Sequence, residues 1–239
     1  MADSRISLRI ERGVAVIELD DGKVNAMQRQ FLEELSAVLD RALAEKARAL
    51  VITGRPGCFS AGLDLKNLPT LDKQELRAVL GLFGETMLRV FLFERPVVAA
   101  ISGHAIAGGC VLAMAADRRL IADGAFRMGL NEVPLAIELP AFVVELARNT
   151  LPTQKLERAL FTGALSEGAD VERDGWVEAI VPVDELLPRA IELAHRLGGL
   201  PNKAYTRAKH LVRMPAVERG RITFEAELDG FMQAFGRVT

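Results

Sequence analysis

Cysteine is scarce in these 239 residues: only Cys58 and Cys110 occur, and neither stands in a Cys-x-x-Cys or Cys/His spacing. Two such thiols build neither a disulfide framework nor a zinc site, so a reducing compartment and no metal are expected. An excess of one charge is also lacking, since 30 basic residues face 32 acidic ones for a net charge of −2. That balance gives no reason to expect nucleic acid or an anionic membrane as the principal partner. No apolar run approaches the roughly 20 residues of a membrane-spanning helix, and Met1-Ala2-Asp3-Ser4-Arg5 lacks the apolar core of a signal peptide. A cytoplasmic protein is expected, with no strict internal repeat and no low-complexity segment.

What is present is core-forming material. Half of the residues are hydrophobic and 26% are charged, which suffices for one domain, or for one domain with a helical appendage. Ile6 to Ile10 and Val14 to Leu19 flank Glu11-Arg12-Gly13 and predict an antiparallel hairpin. Residues 28–46 have helical spacing, with Phe31, Leu35, Val38, Leu39 and Leu43 on one face, and a second helix is expected over 73–93. Leu50-Val51-Ile52-Thr53 and Pro96 to Ile101 read as buried strands, and Arg119 to Ala122 and Ala125 to Leu130 as further extended chain. From about residue 141 helical patterns return. They dominate 185–198, 201–213 and 215–235, with a break at Gly198-Gly199-Leu200-Pro201. The expected organisation is a core over 1–184 and a helical covering or assembly region over 185–239.

Two glycine-bearing turns follow the buried strands. Phe59-Ser60-Ala61-Gly62-Leu63-Asp64-Leu65 comes after the first, and Ala107-Gly108-Gly109-Cys110 after the second. Small residues let a ligand approach the main chain, and two fixed N–H donors hold the negative charge that develops on a carbonyl oxygen. The segment from Gly108 to Ala116 reads as a helix, whose N-terminus favours an anion. Read singly, each turn favours a plain tight turn without a ligand, since glycine punctuates most loops.

The pieces Pro56 to Leu65, Gly103 to Cys110 and Met128-Gly129-Leu130-Asn131-Glu132, together with Val24 to Met27, Leu160 to Gly163 and Val177 to Val181, resemble the crotonase, or enoyl-CoA hydratase/isomerase, superfamily over nearly the whole chain. The resemblance implies an α/β spiral of ββα units with a C-terminal helical region. It also implies a homotrimer, often paired into a hexamer, and a coenzyme A thioester as substrate with no separate cofactor. It assigns the oxyanion donors to the backbone N–H groups of Leu63 and Gly108, and substrate contacts to Ser60, Ala61, Gly62, Asp64, Gly109 and Val111.

Hydratases of this family use two glutamates. Here one matches Glu132, and the other position holds Val111. A single carboxylate suits a proton shuttle better than the placing of a water molecule. The motifs resemble most those of 3,2-trans-enoyl-CoA isomerases, which implies isomerisation of a 3-enoyl-CoA to a 2-enoyl-CoA by Glu132. An enoyl-CoA hydratase that recruits Glu138 is the alternative, and a catalytically silent relative that binds the thioester or RNA is a third reading. Asp64 is expected to cap its turn, and His104 to be a satisfied loop histidine. Lys23, Arg55, Lys66, Lys203 and Lys209 are the candidate cations for the coenzyme A phosphates. Ala136 to Phe142 replaces the family's glycine-rich segment and predicts a bulkier acyl wall.

Overall fold

The computed structural model describes residues 5–235, apart from the side chains of residues 222–226, 231 and 233–235. The N-terminal reading of Met1 to Ser4 and the last four residues of the C-terminal region lie outside them. Strands β1 (Ile6–Glu11) and β2 (Val14–Leu19) form the expected hairpin, joined by Arg12 and Gly13. Both turn residues have positive φ, the twist that a two-residue hairpin loop requires. The short β3 (Ala26–Met27) leads into α1 (Arg29–Ala44), which buries Phe31, Leu32, Leu35, Val38, Leu39 and Ala42 along one stripe. Next come β4 (Ala49–Gly54), β5 (Gly57–Ser60), β6 (Gly62–Leu63) and α2 (Lys73–Phe91). Then follow β7 (Val97–Ile101), β8 (Gly103–Ile106) and the wholly buried helix α3 (Gly108–Ala115).

The second half contains β9 (Arg118–Ala122), β10 (Arg127–Gly129), α4 (Ala141–Thr150) and α5 (Thr153–Thr162). It continues with β11 (Ser166–Glu167), α6 (Asp170–Arg173), β12 (Ala179–Val181), α7 (Leu186–Gly198) and α8 (Asn202–Phe235). Among the described residues, no helix is long and apolar enough to cross a membrane.

One six-stranded sheet has the order β1-β2-β4-β7-β9-β12 and is parallel from β2 onward; a second has the order β11-β10-β8-β5. The pairs β4/β5, β7/β8 and β9/β10 each give their first strand to the large sheet and their second to the small one. This is the spiral of ββα turns, and it sets the ends of β5, β8 and β10 side by side. The period-2 alternation of β4 separates two cores: Leu50 and Ile52 enter the main one, while Ala49 and Val51 meet Ala190, Ile191 and Ala194 of α7 on the outer face. Phe59 and Ser60, read from sequence as the start of a turn, close strand β5, and His104, expected in a loop, lies in strand β8.

Helix α8 joins the two helical stretches expected over 201–213 and 215–235 into one, running through Pro215. Packing on both sides of the proline holds its axis. Before it, Lys209 and Arg213 bind buried Asp117 at 2.9 and 2.8 Å, and Tyr205 Oη donates to the same carboxylate. Beyond it, Val217, Leu228 and Met232 are buried, and Glu227 accepts a hydrogen bond from the first N–H of α4. Lys209 therefore sits in the interior, donating also to the Phe93 and Arg95 carbonyls, and is not available to a phosphate.

Candidate active site

The two glycine turns meet. A Cβ on Gly62 would lie 2.5 Å from the Gly108 nitrogen, and a Cβ on Gly108 would lie 3.2 Å from the Leu63 nitrogen, so only two bare backbones pack this closely. The direction of each N–H follows from local structure. Asp64 N–H donates to the Met27 carbonyl in the parallel β3/β6 pair, and ladder donors alternate along a strand. Leu63 N–H therefore points away from β3. Gly108 opens α3, where an N–H has no intrahelical acceptor, and Ala107 at the cap supplies no side-chain bond. An uncapped, buried helix N-terminus beside a second outward N–H is a receptacle for one negatively charged oxygen.

Strain and hydrogen bonds hold the receptacle. Ala107 adopts φ 51° and ψ −123°, a conformation that costs a residue with a Cβ about 1–3 kcal/mol, while its N–H is tied to the Gly129 carbonyl at the end of β10. Ser60 Oγ donates to the Asn25 carbonyl at 2.8 Å and accepts from Gly62 N–H at 3.1 Å. Gly109 lies flat on the Ser60 carbonyl, 2.0 Å from where its Cβ would be. Asp64 accepts from Lys66 N–H, Asn67 N–H and Gln28 Nε2. Burial raises its pKa, but these bonds outweigh it and hold the carboxyl below its ordinary range.

A cleft of about 610 Å³, counted to its open mouth, lies over the two donors. Leu63 and Gly108 line it with Ala61, Val111 and Glu132, five of the nine residues named from sequence. Ser60, Gly62, Asp64 and Gly109, also named from sequence, lie behind this lining. Ser60 is fully buried with its hydroxyl engaged, Gly62 and Gly109 are spent on backbone packing, and Asp64 braces its turn. Phe83, Val143, Leu65 and Ile106 complete the walls, and no sequence signal separated them from ordinary core. From 136–142, the segment expected to form a bulkier wall, Ile137 and Pro140 line the cleft beside Leu135, and Phe142 stands edge-on to Phe83 at 5.8 Å.

Glu132 follows β10 and precedes the 3-10 turn Val133–Leu135. Its residue surface is half-exposed, but Oε2 is buried without a hydrogen-bond partner in an apolar wall. Burial raises its pKa from 4.5 to about 7, against a weaker opposing bond from its own N–H. That is the poise of a group that both takes and returns a proton near neutrality. Asn131 lines the cleft beside it, with Oδ1 also buried and unpartnered. The loop is propped from below: Gly163 ends α5 in the left-handed region, and its missing Cβ leaves room for the Pro134 ring, otherwise 2.3 Å away.

Among the described residues, no second carboxylate lines the cleft. Val111, 1% exposed, occupies the place of the other acid, and Glu138 is exposed on the side facing Gly230 of α8. His104 Nδ1 accepts from Arg127 N–H, outside the cleft. Cys110 is buried, and its thiol is pushed up by burial first and by the charge of Glu132 second, which makes it a poor nucleophile. Lys23, Lys66 and Lys203 are exposed, and Arg55 donates to the Lys23 carbonyl.

A ββα spiral whose cleft places two main-chain donors beside one glutamate with a buried carboxylate oxygen defines an enzyme of the crotonase fold. The family described as Enoyl-CoA hydratase/isomerase matches residues 9–237, and the chain belongs to that family. The rat protein named "Enoyl-CoA delta isomerase 1, mitochondrial" is 30% identical over 95% of this chain and 80% of its own length. A "Probable enoyl-CoA hydratase" of Bacillus subtilis is 35% identical over 68% of this chain and 60% of its own. The crystal structure of human mitochondrial delta3-delta2-enoyl-CoA isomerase superposes with a TM-score of 0.93 at 29% identity, covering 98% of this chain and 92% of that one.

Proposed function

We propose that the protein isomerises a 3-enoyl-CoA to the conjugated 2-enoyl-CoA. The observation that carries this reading is Glu132, whose Oε2 is buried and unpartnered, in an apolar cleft with two main-chain donors and no second acid among the described residues. With the thioester oxygen between Leu63 N–H and Gly108 N–H, the C2–H bond becomes acidic. Glu132 removes that proton, and the electron pair spreads into a dienolate whose charge rests on the thioester oxygen. The protonated carboxyl then delivers the proton to C4, the C3=C4 bond becomes C2=C3, and Glu132 is again ionised. Losing one such donor typically costs about 3–4 kcal/mol of transition-state stabilisation. The apolar wall at Val111 keeps water from the dienolate.

The names of the relatives include both isomerases and hydratases, and hydration is the alternative outcome of the test. Purified protein is given a 3-enoyl-CoA and, separately, a 2-enoyl-CoA, and absorbance of the conjugated thioester is followed with product mass. Conjugation without mass change supports isomerisation. A gain of one water from the 2-enoyl substrate, with no conjugation of the other, replaces it by hydration, and turnover of neither favours the silent, binding-only reading.

Assembly and compartment belong to the same proposal. Leu211 and Val212 of α8, 59% and 69% exposed, offer an apolar surface for the expected trimer or hexamer through residues 185–239. Cysteine usage supports a reducing compartment such as the cytoplasm, whereas the rat, human and mouse relatives carry "mitochondrial" in their names.

A further inference from the structure

A second groove, of about 340 Å³, lies at the opposite end of the large sheet. Ala47 and Arg48, just before β4, line it together with Arg95 and Pro96, just before β7. The six residues of β4, about 20 Å of strand, run from this groove toward the turn that leads into β5. The groove is thus distinct from the cleft at the far ends of the strands.

Its charge is of one sign. Lys46, Arg48 and Arg95 line it, and no carboxylate does. None of the three forms an ion pair among the described residues: Arg48 donates to the Arg12 carbonyl, Arg95 to the Glu94 carbonyl, and Lys46 Nζ has no partner. Glu45, the acid next to Lys46 in sequence, is paired with Arg41. Arg48 is held in place, because its guanidinium lies across Gly13, where a Cβ would come within 3.0 Å of Nε, and its carbonyl packs on Gly198. Between the cations the floor is apolar and aromatic: Leu43, Pro96, Leu197, half-exposed Leu200 and the ring of Tyr205. The Tyr205 hydroxyl is already committed to Asp117, which leaves its ring as a fixed platform.

We propose that this groove is a second ligand site, for a nucleotide-type phosphate ester whose phosphates meet Lys46, Arg48 and Arg95 while its base or other apolar body rests on Leu200 and Tyr205. Guanidinium groups match phosphate oxygens bidentately, and a concave site of this size fits a small molecule. Free nucleotide and the nucleotide end of coenzyme A share this chemistry.

The full chain is titrated with a fluorescent ADP analogue, and separately with coenzyme A with stoichiometry recorded, at low and at physiological salt. The comparison is a variant carrying Lys46→Glu, Arg48→Glu and Arg95→Glu. The expected result is binding of the ADP analogue that weakens with salt and falls at least about tenfold in the variant, with thermal unfolding and turnover of acyl-CoA unchanged. If coenzyme A is the source, two molecules bind per chain and the variant binds one; if free nucleotide is, coenzyme A binds once in both proteins. The single variant Arg95→Gln should weaken the ADP analogue severalfold. Equal affinity in wild type and variants, or binding only to anionic vesicles, overturns the proposal.

Discussion

Gly62 and Gly108 approach so closely that a Cβ on the first would stand 2.5 Å from the nitrogen of the second. This contact brings the Leu63 and Gly108 donors together, and Gly62, at φ +85°, is in a conformation that disfavours any side chain. Gly62→Ala should push the two turns apart and lower kcat by about 10²–10³, the usual loss for one oxyanion donor. Steady-state kinetics on a 3-enoyl-CoA check it, and an unchanged kcat would place the oxyanion elsewhere.

The raised pKa of Glu132 sets the pH dependence. The base must be ionised to take the C2 proton, so kcat/KM should rise with pH through an apparent pKa near 7 and then level off. Stability moves the other way. A carboxyl whose folded pKa exceeds its unfolded one stabilises the fold below pH 4.5, and that contribution disappears as pH rises through about 7. Glu132→Gln should therefore be more stable than wild type at pH 8, by at most about 3 kcal/mol, with the advantage vanishing near pH 4.5. Paired denaturation curves at the two pH values measure this.

Position 111 should control the choice between proton shuttling and water addition. Val111→Glu puts a second acid into the cleft opposite an apolar wall, and should create hydration of a 2-enoyl-CoA while lowering stability by about 2–4 kcal/mol. Product mass and urea unfolding read the two effects. A variant that folds yet adds no water would show that position 111 does not face the reacting carbons.

Gly163 supports catalysis from a distance. In Gly163→Ala the new methyl group would meet the Pro134 ring, and the left-handed conformation would itself cost about 1 kcal/mol. The expected outcome is a loss of roughly tenfold in kcat as the Glu132 loop shifts, with little change in KM.

Much of this architecture was legible in the chain. The hairpin, α1 and the buried strands around Leu50 and Val98 were readable because their apolar periodicity is set by one neighbouring surface. Strands β5 and β8 were not, since four residues such as Gly103-His104-Ala105-Ile106 carry too few apolar positions to show a period and are stabilised by pairing with each other. The continuity of α8 through Pro215 was not, since a proline disfavours a helix interior and the Asp117 ion pairs that hold α8 on one side of it come from about a hundred residues away. At the site, motif position pointed to Glu132, Leu63 and Gly108. The distinction between Ala61, which lines the cleft, and Ser60, which is spent inside the loop, depends on side-chain direction and appears only in three dimensions.

The most direct test of the account gives wild type and Glu132→Gln the same 3-enoyl-CoA, with coenzyme A thioester affinity measured on both. Wild type should conjugate the substrate, the variant should lose about 10²–10⁴ in rate, and thioester affinity should be preserved within a few fold. Equal conjugation by both proteins would contradict the central claim that Glu132 alone carries the proton from C2 to C4.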